Sequence, residues 1–143
     1  MATVNAVGNY KASVPFKDAG SFFVLSRTVD LDAITHASGD TIQVIPVPSG
    51  VRCVGVECEI VTPSDAATSA TMNIGDGADA DGYGASVDLK ATAGTITVTG
   101  SSDAYFFPGK RYTADDTIDI TPTYDGATTT KGKIILRAFC IKM

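Results

Sequence analysis

Residues 51–61, Val-Arg-Cys-Val-Gly-Val-Glu-Cys-Glu-Ile-Val, place apolar side chains at almost every second position. Successive side chains of a strand point to opposite faces, so a period of two predicts a β-strand with one dry and one wet face. Taken as unbroken, this strand puts Val54, Val56, Cys58 and Ile60 on one face and Cys53, Glu57 and Glu59 on the other. The same alternation marks 22–30, 41–47, 70–74, 86–89, 95–99 and 116–121, with an aromatic strand at 105–107. The last stretch, 131–143, differs. Ile134, Leu136, Ala138 and Cys140 share one face, yet the other also carries an apolar row, Ile135, Phe139 and Ile141.

Turn residues separate these runs: Ser38-Gly39-Asp40, Pro48-Ser49-Gly50, Pro108-Gly109 and Asp125-Gly126. Asp30 is placed to cap a single helical turn with Leu31 and Ile34 facing the sheet. About eight or nine strands at this spacing predict an all-β, antiparallel two-sheet sandwich over 21–143. Its expected core is Val54, Val56, Ile60, Ile96, Val98, Phe106, Ile118, Ile120, Ile134 and Leu136. Residues 1–20 keep no period for long, their only cluster being Val14-Pro15-Phe16, and read as an extended N-terminal arm.

Composition sharpens this picture. A chain of 143 residues suits one domain that buries a core without disulfides or metals. Charged residues are 19% and the apolar set is 44%, with 14 Gly, a mixture that favours strands and tight turns. A net charge of −5 argues against a nucleic-acid partner, since binding phosphates requires clustered Lys and Arg. No apolar run approaches the roughly 18 residues of a membrane span and the first twenty residues lack a signal-peptide layout, so neither a membrane nor export is expected. Cys53, Cys58 and Cys140 have no metal-binding spacing and read as reduced thiols packed as small hydrophobes, with a Cys58–Cys140 neighbour pair as the alternative.

Candidate chemistry is sparse. Asp76, Asp79 and Asp81 lie on the Gly-rich loop of Ile-Gly-Asp-Gly-Ala-Asp-Ala-Asp-Gly-Tyr, residues 74–83, and closely spaced carboxylates are what a hard cation needs. The alternating ligands and final Glu of an EF-hand are missing, however. Turn chemistry is favoured, with Gly75, Gly77, Gly82 and Gly84 supplying positive φ and the Asp side chains bonding local N–H groups. His36 reads as an exposed loop histidine, and Asp115-Asp116 as a turn before a strand. No nucleophile is held beside a base, so no enzyme and no cofactor is expected.

The Val-rich strand after Ser49-Gly50, the Ile-Gly-Asp-Gly…Asp-Gly-Tyr block at 74–83, Gly-Lys-Arg-Tyr-Thr-Ala-Asp-Asp-Thr-Ile at 109–118 and Lys-Gly-Lys-Ile-Ile-Leu-Arg-Ala at 131–138 together resemble the capsid cement, or decoration, proteins of tailed bacteriophages. The resemblance runs from about Thr41 to the C-terminus. It implies a jelly-roll sandwich made in the host cytoplasm and fixed to the outer surface of the virion, where it would clamp neighbouring copies of the major capsid protein. Symmetric self-association, a homodimer or alternatively a homotrimer, would then use Tyr10, Val14, Phe16, Ile135, Phe139 and Ile141. The alternatives are another virion part, such as a head fibre or neck subunit, and a calcium- or carbohydrate-binding sandwich.

Overall fold

The computed structural model describes residues 1–6, 19–126 and 131–143. Among them run ten strands and no helix: β1 (Thr3–Asn5), β2 (Phe22–Asp30), β3 (Thr41–Val47), β4 (Val51–Thr62), β5 (Ser69–Gly75), β6 (Gly84–Asp88), β7 (Ile96–Val98), β8 (Lys110–Tyr112), β9 (Asp116–Asp125) and β10 (Lys133–Lys142). They form the expected jelly-roll sandwich. Sheet A has the order β1-β3-β9-β5-β6; sheet B has β2-β10-β4-β7, with β8 also paired to β4. Every pairing is antiparallel except β1 with β3. Within the segment read as an arm, β1 is tied down by Ala2 N–H donating to Asp40 Oδ1 at 2.9 Å and Ala6 N–H donating to the Gln43 carbonyl at 3.1 Å.

The inner faces meet in cross-strand rows. In sheet A, Ile42, Ile120 and Ile74 lie side by side. In sheet B, the rows Leu25–Ala138–Val56 and Val29–Ile134–Ile60 face them. All these side chains are buried, and each large aliphatic contributes about 1.5–3 kcal/mol by leaving water. Asp30 caps its turn as expected, accepting the Asp32 N–H through Oδ1 at 3.1 Å, with Leu31 buried beneath it.

Four core assignments need correction. Val54 is half-buried, and Ile96, Val98 and Phe106 are exposed. Val54 is displaced because β4 carries a bulge: Phe139 pairs with Gly55 but the next residue, Cys140, pairs with Cys53. One extra residue reverses the alternation, so Val51 and Cys53 point inward before the bulge, and Val56, Cys58 and Ile60 after it. Cys53 and Cys58 therefore share the inner face rather than opposing ones. It is Cys53, not Cys58, that stands beside Cys140, and each thiol donates to a carbonyl of its own strand, Cys53 to Gly55 at 3.4 Å and Cys140 to Ala138 at 3.7 Å. All three cysteines are free and buried, and burial pushes the Cys58 thiol up to about 12.

Ile96 and Val98 pair with Glu59 and Glu57 and so lie on the outer face of sheet B, on a short edge strand whose three residues are all exposed. The aromatic stretch 105–107 is a turn rather than a strand. His36 is half-buried, with Nδ1 2.7 Å from the Ile34 carbonyl and Nε2 2.7 Å from the Tyr124 hydroxyl.

Candidate interaction face and the Gly-Asp loop

The exterior of sheet B follows from the register of its strands. Four rows cross it: Ile96–Glu59–Ile135–Thr28, Val98–Glu57–Arg137–Ser26, Gly55–Phe139–Val24 and Arg52–Ile141–Phe22. Ile135, Phe139 and Ile141 are half-buried, each shielded by its neighbours within the sheet. Around them Phe22 and Val98 are 58% exposed, Ile96 53% and Val24 44%. Phe22 stacks on Phe139 with centroids 6.4 Å apart and planes 11° from parallel. At the Ile141 end the patch continues to exposed Phe107, over which Arg52 lays its guanidinium at 5.9 Å.

The charges at the centre of this face are paired with one another. Arg137 donates to Glu57 at 2.7 Å and to Glu59 at 2.8 Å, so one guanidinium spans two carboxylates on the adjacent strand. The result is an apolar surface around an ion-paired polar centre, on a rigid sheet. Scattered apolar residues on a surface are ordinary, whereas a contiguous set makes this face a candidate contact site.

Sequence reasoning identified the β10 row and missed Phe22, Val24, Ile96 and Val98. The signal for the first two was present, since Phe22 and Val24 alternate with Phe23 and Leu25 and make β2, like β10, apolar on both faces. Tyr10, Val14 and Phe16 lie outside the described residues.

The Gly-Asp loop is built around one carboxylate. Asp76 is fully buried. Its Oδ1 accepts the Ala78 N–H at 2.9 Å, the Asp79 N–H at 3.0 Å and the Tyr105 hydroxyl at 3.0 Å, while Oδ2 accepts the Tyr112 hydroxyl at 3.0 Å and lies 3.7 Å from Lys110 Nζ. Tyr83, buried beneath, joins through a 2.9 Å bond between its hydroxyl and that of Tyr112. Burial and the nearby carboxylate raise the Tyr105 and Tyr112 phenols, keeping them as donors. Asp79 is half-buried and Asp81 exposed, and the carboxyl of Asp81 is raised by its hydrogen bond to Asp79. Among the described residues, no group of three or more His, Cys, Asp or Glu is placed to hold a metal ion.

None of Gly75, Gly77, Gly82 and Gly84 adopts positive φ, and two of them, Gly75 and Gly82, serve close approach instead. A Cβ on Gly75 would stand 2.0 Å from the Asp79 carbonyl oxygen, and one on Gly82 would stand 2.4 Å from the Tyr105 ring. Only a residue without a side chain lets the loop fold back on β5 and receive Tyr105.

No sequence-family model matches the chain, and no curated protein matches it significantly. Solved structures do. A chain from the capsid of Ralstonia phage GP4 is similar over 99% of both chains, with a TM-score of 0.76 at 18% identity. A chain of the cyanophage Pam1 capsid asymmetric unit covers 98% of both, at TM-score 0.68 and 18% identity. One from the acid-stable capsid structure of Helicobacter pylori bacteriophage KHP30 covers 87% of this chain and 90% of its own, at TM-score 0.58 and 14% identity. The sandwich, from end to end, is thus a fold that this chain shares with chains of phage capsid structures.

Proposed function

We propose that the protein is a non-enzymatic structural component of a phage virion, a cement protein that binds the outer surface of the head and stabilises contacts between major capsid subunits. The observation that carries this reading is the apolar exterior of sheet B, on a chain whose whole fold is similar to chains of phage capsids. A rigid sandwich with one adhesive face suits a part that must staple others together. Strands β2, β10 and β4, about 4.8 Å apart and about 30 Å long, present roughly 430 Å2 in projection, about half of the about 800 Å2 of accessible surface each partner gives in a standard interface.

In this reading the face of sheet B joins copies into a homodimer, in which a two-fold axis sets one self-complementary patch against itself, or alternatively into a homotrimer, in which it meets a different patch of the next copy. The part of the N-terminal arm that follows β1, with Tyr10, Val14 and Phe16, reaches a neighbouring copy or the shell. Two or three linked copies hold adjacent capsomers at high effective concentration, so modest single contacts become durable. The calcium- or carbohydrate-binding alternative has weaker support, since Asp76 is already committed to its own loop.

The test is twofold. Light scattering gives the mass in solution, and sedimentation with undecorated capsid shells gives binding. A discrete dimer or trimer that decorates shells is the expected result. A strict monomer overturns the self-association, and failure to bind any shell overturns the cement role.

A further inference from the structure

The exterior of sheet A is polar but not flat. Residues 76–80 of the Gly-Asp loop stand over it and, with Thr3, Thr41, Gln43, Asp119 and Thr121, line a cleft of about 440 Å3. On β9, Ile118 and Ile120 point into the core, so Asp119 points out beneath this loop, between Gln43 of β3 and Gly75 of β5. It is only 7% exposed. Its Oδ1 accepts the Thr117 hydroxyl at 2.6 Å. No hydrogen bond reaches Oδ2 and no ion pair reaches Asp119 among the described residues.

The charges acting on Asp119 are of its own sign, from Asp116 and Asp76. Asp76 has Lys110 and two tyrosines, whereas Asp119 has one threonine. Desolvation, with those neighbouring acids, pushes the Asp119 carboxyl up to about 6. A desolvated carboxylate without a counterion is destabilising, and a cation brought to it by a partner relieves that cost.

We propose that this cleft receives the ammonium or guanidinium group of a lysine or arginine carried by the shell subunit, with Asp119 as its counterion. The identity of the partner rests on the cement reading above; the chemistry of the cleft does not. A divalent cation suits it less well. Only one carboxylate is available, because Asp76 is saturated by its own donors, and the space is that of a side chain rather than an ion. Hydroxyls of Thr41 and Thr121 and the amide of Gln43 add neutral acceptors around the charge.

Asp119→Asn tests this, since the amide keeps an acceptor for Thr117 and removes only the charge. The variant is expected to melt no lower than wild type and to bind shells about tenfold or more weakly, with a shallower salt dependence. Butylammonium, a stand-in for the lysine side chain, is titrated separately into the isolated protein, with tetramethylammonium as control. Amide resonances of Gln43, Asp119 and Thr121 should shift and saturate with butylammonium in wild type and not in the variant. Absence of that saturation, or shell binding by the variant equal to wild type, overturns the inference, as does stabilisation of wild type alone by calcium. Saturation by butylammonium without any shell binding by wild type leaves the cleft standing and overturns the cement role instead.

Discussion

The two outer faces of this sandwich are made from strands of the same alternation and have opposite character. On sheet A, the outward residues Thr71, Asn73, Thr121 and Thr123 form polar rows of hydroxyls and an amide, the Asn73 oxygen accepting the Ser86 N–H at 2.9 Å. On sheet B, the outward residues Phe22, Val24, Ile96, Val98, Ile135, Phe139 and Ile141 leave apolar surface in water around the Arg137 ion pairs. The inward half of every strand makes the fold, and either exterior would serve that purpose. The difference between the exteriors is therefore one of cover: on sheet A the Gly-Asp loop folds over part of the face and encloses Asp119, whereas on sheet B the apolar rows lie open.

The largest expected effect comes from dismantling the structure that makes sheet A concave. Asp76→Ala leaves the Tyr105 and Tyr112 hydroxyls and Lys110 without their buried acceptor, and a loss of about 3–5 kcal/mol in stability is expected. Urea denaturation measures it. A loss below about 1 kcal/mol would mean that the loop holds itself without the carboxylate. Gly82→Ala should follow at about 1–3 kcal/mol, because the new methyl collides with the Tyr105 ring.

Next comes the contrast between the faces themselves. Phe139→Asp and Val24→Asp on sheet B are expected to weaken self-association by about thirtyfold or more each, the cost of a contact at the centre of an interface. Thr123→Asp on sheet A, an equal change in charge, is expected to leave association unchanged. Sedimentation equilibrium on the three variants decides it. Equal effects on both faces would remove the asymmetry on which the assignment of sheet B as the contact rests.

How far these features can be read from sequence depends on whether they are set by period or by position. The pairs Ile118/Ile120 and Ile134/Leu136 were readable because a buried face imposes strict alternation. Ile96 and Val98 show the same alternation and are exposed, because their register with Glu59 and Glu57 sets them on the outer face of sheet B, where no second layer covers them. The bulge at Val54 leaves almost no trace in composition, one Gly55, yet it exchanges the faces of Cys53 and Val54. β1 and β8, at three residues each, are too short to display a period. Asp119 sits at a regular outward position and is buried only because a loop more than thirty positions earlier, residues 76–80, folds over it. Apolar content on a face is local information; whether anything covers that face is not.

The smallest effect isolates the charge in the sheet A cleft. Asp119 has an ordinary carboxyl near 3.8 in the unfolded chain and is raised to about 6 in the folded one, by desolvation first and by Asp116 and Asp76 as like charges. The folded state thus holds the proton more tightly. Below pH 3.8 both states are protonated and the group is neutral in its effect, whereas above pH 6 both are ionised and the full penalty is present. As pH falls from about 7 to about 4, this one residue adds stability, opposite to the usual behaviour of a paired carboxylate. Asp119→Asn removes the ionisation and should be about 1–2 kcal/mol more stable than wild type at pH 8, with the difference vanishing near pH 4. Melting temperatures of the pair at both values measure it, and the difference between them cancels every other titrating group. A variant no more stable than wild type at pH 8 would show that the cleft already compensates the charge, and the need for an incoming cation would disappear with it.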